Sequence, residues 1–150
     1  MKKSAFLLVV FLFTLLNACS KTEDVFIPQS EVFLLKASSD AKISGKITFT
    51  EKQDGSTIVL LEMDGSNDDI HPAFIYAGNF QTGGQIAISL EAIQCNCQAS
   101  TTYVATLDDG SPISFDQLKK FNGHVRVHQS KSKMSIILAN GNIGSNRNLK

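Results

Sequence analysis

From about residue 31 onward, short candidate strands recur at spacings of roughly ten residues, most of them repeating with a period of two, and glycine turn signals punctuate the chain. Asp54-Gly55, Asp64-Gly65, Gly83-Gly84, Asp109-Gly110, Asn122-Gly123 and Asn140-Gly141 are the breaks. Glycine tolerates the positive φ that tight hairpin turns require, and Asp or Asn before it stabilises the turn through its side chain. Ile43, Gly45, Ile47 and Phe49 alternate with Lys42, Ser44, Lys46 and Thr48. Ile86, Ile88 and Leu90 do the same within Gln85 to Ile93, and Val125 and Val127 alternate with His124, Arg126 and His128. Successive side chains of a strand point to opposite faces, so such stretches bury one face and wet the other. Thr57 to Met63 is apolar at both parities, the pattern of a central strand covered on both sides. Val32 to Lys36, Pro72 to Ala77, Thr101 to Leu107 and Met134 to Ala139 complete the strands. About eight short strands with glycine turns predict an antiparallel Greek-key sandwich or barrel, an all-β domain. One short helix interrupts it near 115–121, where Ser114 and Gln117 have the spacing of a capping box. The chain shows neither an internal repeat nor a second domain.

The first 30 residues obey other rules. Lys2 and Lys3 precede twelve uninterrupted apolar residues, Ala5 to Leu16. That run suits a signal peptide and falls short of the ~20 residues a spanning helix needs. It ends Leu16-Asn17-Ala18-Cys19, which resembles a bacterial lipobox. The resemblance implies cleavage after residue 18 and lipidation of Cys19, and several acyl chains together anchor stably in a bilayer. Asn17 departs slightly from the pattern, where a smaller residue is commoner. Residues 19–30 then read as a lipidated cysteine and a flexible tether, and 31–150 as a single β domain. Ser20 resembles the sorting position of lipoproteins sent to an outer membrane, and Lys21-Thr22-Glu23-Asp24 loosely resembles a surface-export signal. The expected location is therefore an outer membrane, on its periplasmic side or at the cell surface.

Composition narrows the function classes. Lys plus Arg and Asp plus Glu both number 14, so the net charge is zero and no field draws in nucleic acid. Three histidines and three cysteines leave little for catalysis, and no nucleophile elbow, metalloprotease helix or phosphate loop is present. With Cys19 lipidated, Cys95 and Cys97 form an even pair. In an oxidising compartment they are expected to close a disulfide, although two residues apart lies near the geometric limit. The alternative is a Cys-x-Cys pair that binds Cu(I). Asp64, Ser66 and Asp68 begin like a calcium loop, but Ile75 stands where the bidentate glutamate belongs, and the segment reads as a turn.

Several segments resemble a CHRD (chordin-type) domain of bacterial lipoproteins: Ser44 to Phe49, His71-Pro72-Ala73-Phe74-Ile75-Tyr76, Gly84 to Leu90, Ala105 to Gly110, Phe121-Asn122-Gly123 with Val125 to His128, and Gly141 to Gly144. The resemblance covers roughly residues 42–146. That family is in turn similar to copper/zinc superoxide dismutase, which implies the same Greek-key barrel. CHRD relatives usually carry His-Pro-Ala-His-Ile-His where this chain has Phe74 and Tyr76 in place of the second and third histidines, which align with two copper ligands. His128 matches a third, and the zinc ligands have no counterpart.

Phe74, Tyr76, Arg126 and His128 fall on one face of their strands, with Ile75, Val125 and Val127 on the other. They form either an aromatic and cationic binding face or a satellite core beneath a loop. His71 is a ligand or, by hydrogen bonding, a loop fastener. The expected function is a membrane-anchored, non-enzymatic CHRD-like binding or structural module. It has no catalytic or metal residues and no cofactor; its partners are the bilayer and an unidentified protein or small ligand. The competing class is a metalloprotein, a residual copper binder or dismutase-like relic using His128 with Cys95 and Cys97.

Overall fold

The computed structural model describes residues 25–38, 42–65, 69–94 and 98–147. The expected signal peptide, Cys19, the expected tether as far as residue 24, Ser66, Asp68, Cys95 and Cys97 lie outside the described residues. Eight strands form: β1 (Ser30–Ala37), β2 (Ser44–Glu51), β3 (Thr57–Asp64), β4 (His71–Ala77), β5 (Ile86–Ile93), β6 (Ala99–Val104), β7 (Gly123–His128) and β8 (Ile137–Ile143). A one-turn helix, α1 (Phe115–Leu118), precedes β7, and a 3-10 turn follows β8 at Gly144–Asn146.

The strands make one antiparallel sheet in the order β5-β4-β7-β8-β1-β2-β3-β6. Three connections pass between its halves: β5 to β6 joins the two end strands, while β3 to β4 and β6 to β7 cross over intervening strands, and the chain therefore traces a Greek key. β1 belongs to both halves. Ser30 to Leu35 pair with β2, and Lys36 and Ala37 pair with β8. The end strands β5 and β6 approach each other, and side chains bridge the seam. Glu91 N–H donates to Thr102 Oγ1 at 2.8 Å. The Asp108 carboxylate accepts from Ser89 N–H at 3.0 Å and from the Ser89 hydroxyl at 2.8 Å. An open sheet edge invites pairing with another chain, and these bonds occupy part of it. The barrel is thus nearly closed.

Period-two alternation fills the interior. Ile47, Phe49, Ile75, Val125 and Val127 have no exposed surface, and burying each such side chain contributes about 1.5–3 kcal/mol. Phe33 and Phe49 meet across β1 and β2 with ring centroids 5.3 Å apart. α1 closes one end with Phe115 and Leu118, and Phe115 N–H donates to Gly55 O in the β2–β3 turn at 3.0 Å. The expected capping box forms: Ser114 N–H donates to Gln117 Oε1 at 2.8 Å, and Gln117 N–H donates to Ser114 Oγ at 3.3 Å. The helix stops at Leu118 rather than Phe121, because Lys120 and Phe121 N–H reach back only three residues, to Gln117 and Leu118.

Three strands differ from the sequence expectation. β6 runs Ala99–Val104, earlier than Thr101 to Leu107. β3 was expected to be covered on both faces, yet Ile58 and Leu60 lie half-buried on the outside of the sheet. The last strand runs Ile137–Ile143, later than Met134–Ala139, and places Asn140-Gly141 at its middle rather than in a turn. The reason is steric. A β-carbon on Gly141 would stand 2.4 Å from Leu34 O and 2.9 Å from Leu35 Cδ2, so only glycine lets β8 lie this close to β1. Met134 and Ser135 instead form a turn whose carbonyl is used elsewhere.

Gly141→Ala should therefore destabilise the fold by about 1–3 kcal/mol, the cost of overpacking a close contact. Urea unfolding of the wild-type and variant chains measures this, and an unchanged midpoint would show that β1 and β8 are not so close.

Candidate functional site

The pairing of β4 with β7 builds the candidate face. Ala73 lies opposite Val127 and Ile75 opposite Val125, all four fully buried in the barrel. The alternate rungs, Phe74 with Arg126 and Tyr76 with His124, point outward. Phe74, Tyr76 and Arg126 are half-buried there, while His124 is 0 % and His128 4 % exposed. Phe74, Tyr76, Arg126 and His128 thus share one face, and two loops, 78–85 and 129–136, contact it.

Main-chain carbonyls fasten these loops. His124 Nδ1 donates to Gly78 O at 2.8 Å, and His128 Nδ1 donates to Met134 O at 2.6 Å. A carbonyl only accepts, so each bond places the imidazole proton on Nδ1 and leaves Nε2 bare in the neutral ring. The Tyr76 hydroxyl accordingly donates to His128 Nε2, at 3.0 Å. His124 Nε2 is buried and has no hydrogen-bond partner among the described residues. His71, on the inner parity of β4, repeats the device: Nδ1 donates to Gln129 O at 2.7 Å, while Nε2 is buried and unpartnered among the described residues. It fastens the end of β7 to the start of β4.

Aromatic rings fill the remaining space. Tyr76 stacks on His124 with centroids 5.2 Å apart and planes at 13°, and Phe74 meets His128 edge-on at 5.8 Å. Phe80, from the first loop, meets His124 edge-on at 6.0 Å. The Arg126 guanidinium lies between two rings, 4.9 Å from the centroid of Tyr76 and 5.2 Å from that of Phe80, an arrangement in which each aromatic face attracts the cation. Phe80 N–H donates to Asn142 Oδ1 at 2.9 Å, which ties the loop to β8.

Burial holds both His124 and His128 below the ordinary imidazole value of 6.5; the hydrogen bond to a carbonyl acts the other way, and the Arg126 charge adds to the lowering. Burial also raises the Tyr76 phenol above 10.0, with Arg126 opposing it. Both imidazoles are therefore neutral at neutral pH and the phenol is a donor. The arrangement is a packed polar–aromatic cluster. A general base must reach a substrate proton, and these imidazoles are shielded from one.

The sequence reading missed two members, His124 and Phe80. His124 shares the parity of Arg126 and His128, which was a usable signal; Phe80 comes from a loop, where periodicity carries none. Among the described residues, no group of three His, Cys, Asp or Glu is placed to hold a metal. Cys95 and Cys97 lie outside them. An open cleft of about 450 Å³ borders the cluster at Phe80 and continues along Val32, Leu34 and Lys36 of β1 to Arg147. No family model and no curated protein matches the chain.

Tyr76→Phe leaves His128 Nε2 buried without its donor and should cost about 1–3 kcal/mol of stability. The sign of the pH dependence follows from the lowered imidazoles. Stability is fully present above 6.5 and is lost as pH falls through that value toward the depressed folded one. Thermal melts of both chains across this range measure the two effects. A variant as stable as wild type would remove the Tyr76–His128 bond from the account.

Proposed function

We propose that this chain is an exported lipoprotein, anchored through Cys19 in an outer membrane, whose domain serves as a non-enzymatic binding or structural module of the CHRD kind. The Greek-key strand order supports the resemblance. The observation that carries the functional reading is the use of His128. Nδ1 is committed to Met134 O and Nε2 to the Tyr76 hydroxyl.

A copper site of the kind the resemblance implies needs three or four nitrogen donors converging on one point. Phe74 offers no donor atom. Tyr76 is a protonated phenol already donating to His128, and its raised pKa works against the phenolate a metal would require. His128 has no ring nitrogen to spare. These residues do not fit the metal. Where the family pattern has histidines, this chain has rings that pack, so the barrel keeps its shape while the outer face of β4 and β7 serves as scaffold.

The test uses the full chain, produced with copper and zinc in the medium and labelled with a radioactive fatty acid, then extracted from membranes. The label should depend on Cys19 and vanish in Cys19→Ala, and elemental analysis should find neither metal in stoichiometric amount. About one tightly held copper or zinc per chain, lost with His128→Ala, would overturn this reading in favour of a metalloprotein built on His128, Cys95 and Cys97.

A further inference from the structure

The other half of the sheet has an open outer face. β1, β2, β3 and β6 stand in register, and their outward side chains form continuous rungs from β1 to β6. Val32, Leu34 and Tyr103 are 51 %, 73 % and 71 % exposed on this face, with Ile58 and Leu60 half-buried between them. Threonines 48, 50 and 101 supply hydroxyls among these side chains. The outer face of an antiparallel sheet in water ordinarily carries polar residues. Here β3 is apolar at both parities, which one buried face does not explain.

Most charges on this face cancel locally. Lys46 pairs with Glu62 at 3.2 Å, and Lys52, above the Tyr103 ring, pairs with Asp54 at 3.1 Å. Lys36, exposed on the same parity of β1, is left without an acidic partner among the described residues, and a single cation of this kind suits anionic headgroups. What covers the face must accept apolar side chains, hydroxyls and a phenol together, as the headgroup region of a bilayer does.

The length of the tether selects the same occupant. Val25 is six residues beyond Cys19, which an extended chain spans in at most ~20 Å. Val25 and Ile27 are 81 % and 79 % exposed, and the chain reaches the face directly after them. Ser30 belongs to the face itself, its hydroxyl 3.0 Å from that of Thr50. An acylated Cys19 therefore holds this face beside lipid at a high effective concentration. We propose that the outer face of β1, β2, β3 and β6 lies against the headgroups of the bilayer that carries the Cys19 anchor. The proposal rests on the reading that Cys19 is lipidated. It adds an orientation: the barrel lies on its side, and the β4–β7 face points away from the lipid.

The chain contains no tryptophan, so Leu34→Trp, Tyr103→Trp and, on the β7–β8 loop, Lys131→Trp each introduce a single indole. The full lipidated chains are reconstituted into phosphatidylethanolamine–phosphatidylglycerol vesicles with brominated acyl chains. The indoles at 34 and 103 should shift to the blue and lose emission to bromine, while that at 131 keeps its emission. Chains that float with the vesicles but show no quenching at 34 and 103, or equal quenching at 131, would overturn the proposal and leave the anchor intact. A blue shift that grows with protein density, without quenching, would overturn it by giving the face to a second copy. Chains that do not float with the vesicles would overturn the anchor and the proposal together.

Discussion

All three imidazoles of this chain are buried, and each gives its Nδ1 proton to a main-chain carbonyl: His71 to Gln129, His124 to Gly78, His128 to Met134. The rest of the outer β4–β7 face depends on those bonds. They fix the neutral tautomer, and the tautomer makes His128 Nε2 an acceptor for the Tyr76 hydroxyl. They also fix ring orientation, which lets Tyr76 stack on His124 and leaves the Arg126 cation between Tyr76 and Phe80. A buried polar group costs free energy unless it is bonded. Anchoring loop carbonyls satisfies one nitrogen of each ring and holds the loops on the sheet. A histidine whose Nδ1 is tied to a carbonyl is also the usual posture of a metal ligand. The difference here lies across the strand, where Phe74 and Tyr76 supply rings instead of nitrogen donors.

The two outer faces of the barrel are treated oppositely. On β4 and β7 the outward side chains are aromatic or cationic and sit beneath loops 78–85 and 129–136. On β1, β2, β3 and β6 they are mostly aliphatic or hydroxylic, with Tyr103 and the Lys46–Glu62 pair among them, and largely open. β1 joins the halves by pairing with β2 along most of its length and with β8 at its end. The chain enters the fold through that same strand, with Ser30 already on the open face.

Much of this was legible in the sequence because strand periodicity is strict. Ile75, Val125 and Val127 on one side and Phe74, Tyr76, Arg126 and His128 on the other follow from counting by two, and the structure places them so. The capping box at Ser114 and Gln117 was legible for a similar reason, since a cap needs fixed residues at fixed spacing. What escaped depends on tertiary contact. Asn140-Gly141 carries the composition of a turn, yet Gly141 is a glycine of close approach, and only the path of β1 reveals that. Phe80 reaches the cluster because Asn142 holds its loop. The apolar pattern of β3 was seen but attributed to burial on both sides, because sequence does not distinguish a covered face from an open one.

The outer β4–β7 face depends on the protonation of His124 and His128, and nitrogen-15 NMR of the labelled imidazoles reads it directly. At neutral pH His124 and His128 should be neutral rings protonated at Nδ1, with His128 Nε2 shifted by the hydrogen bond from Tyr76 and that shift absent in Tyr76→Phe. His128 protonated at Nε2, or carrying both protons, would contradict this, since neither state leaves the Tyr76 hydroxyl an acceptor on a ring held by its loop carbonyl; so would His124 protonated at Nε2 alone, which has no Nδ1 proton to give Gly78 O.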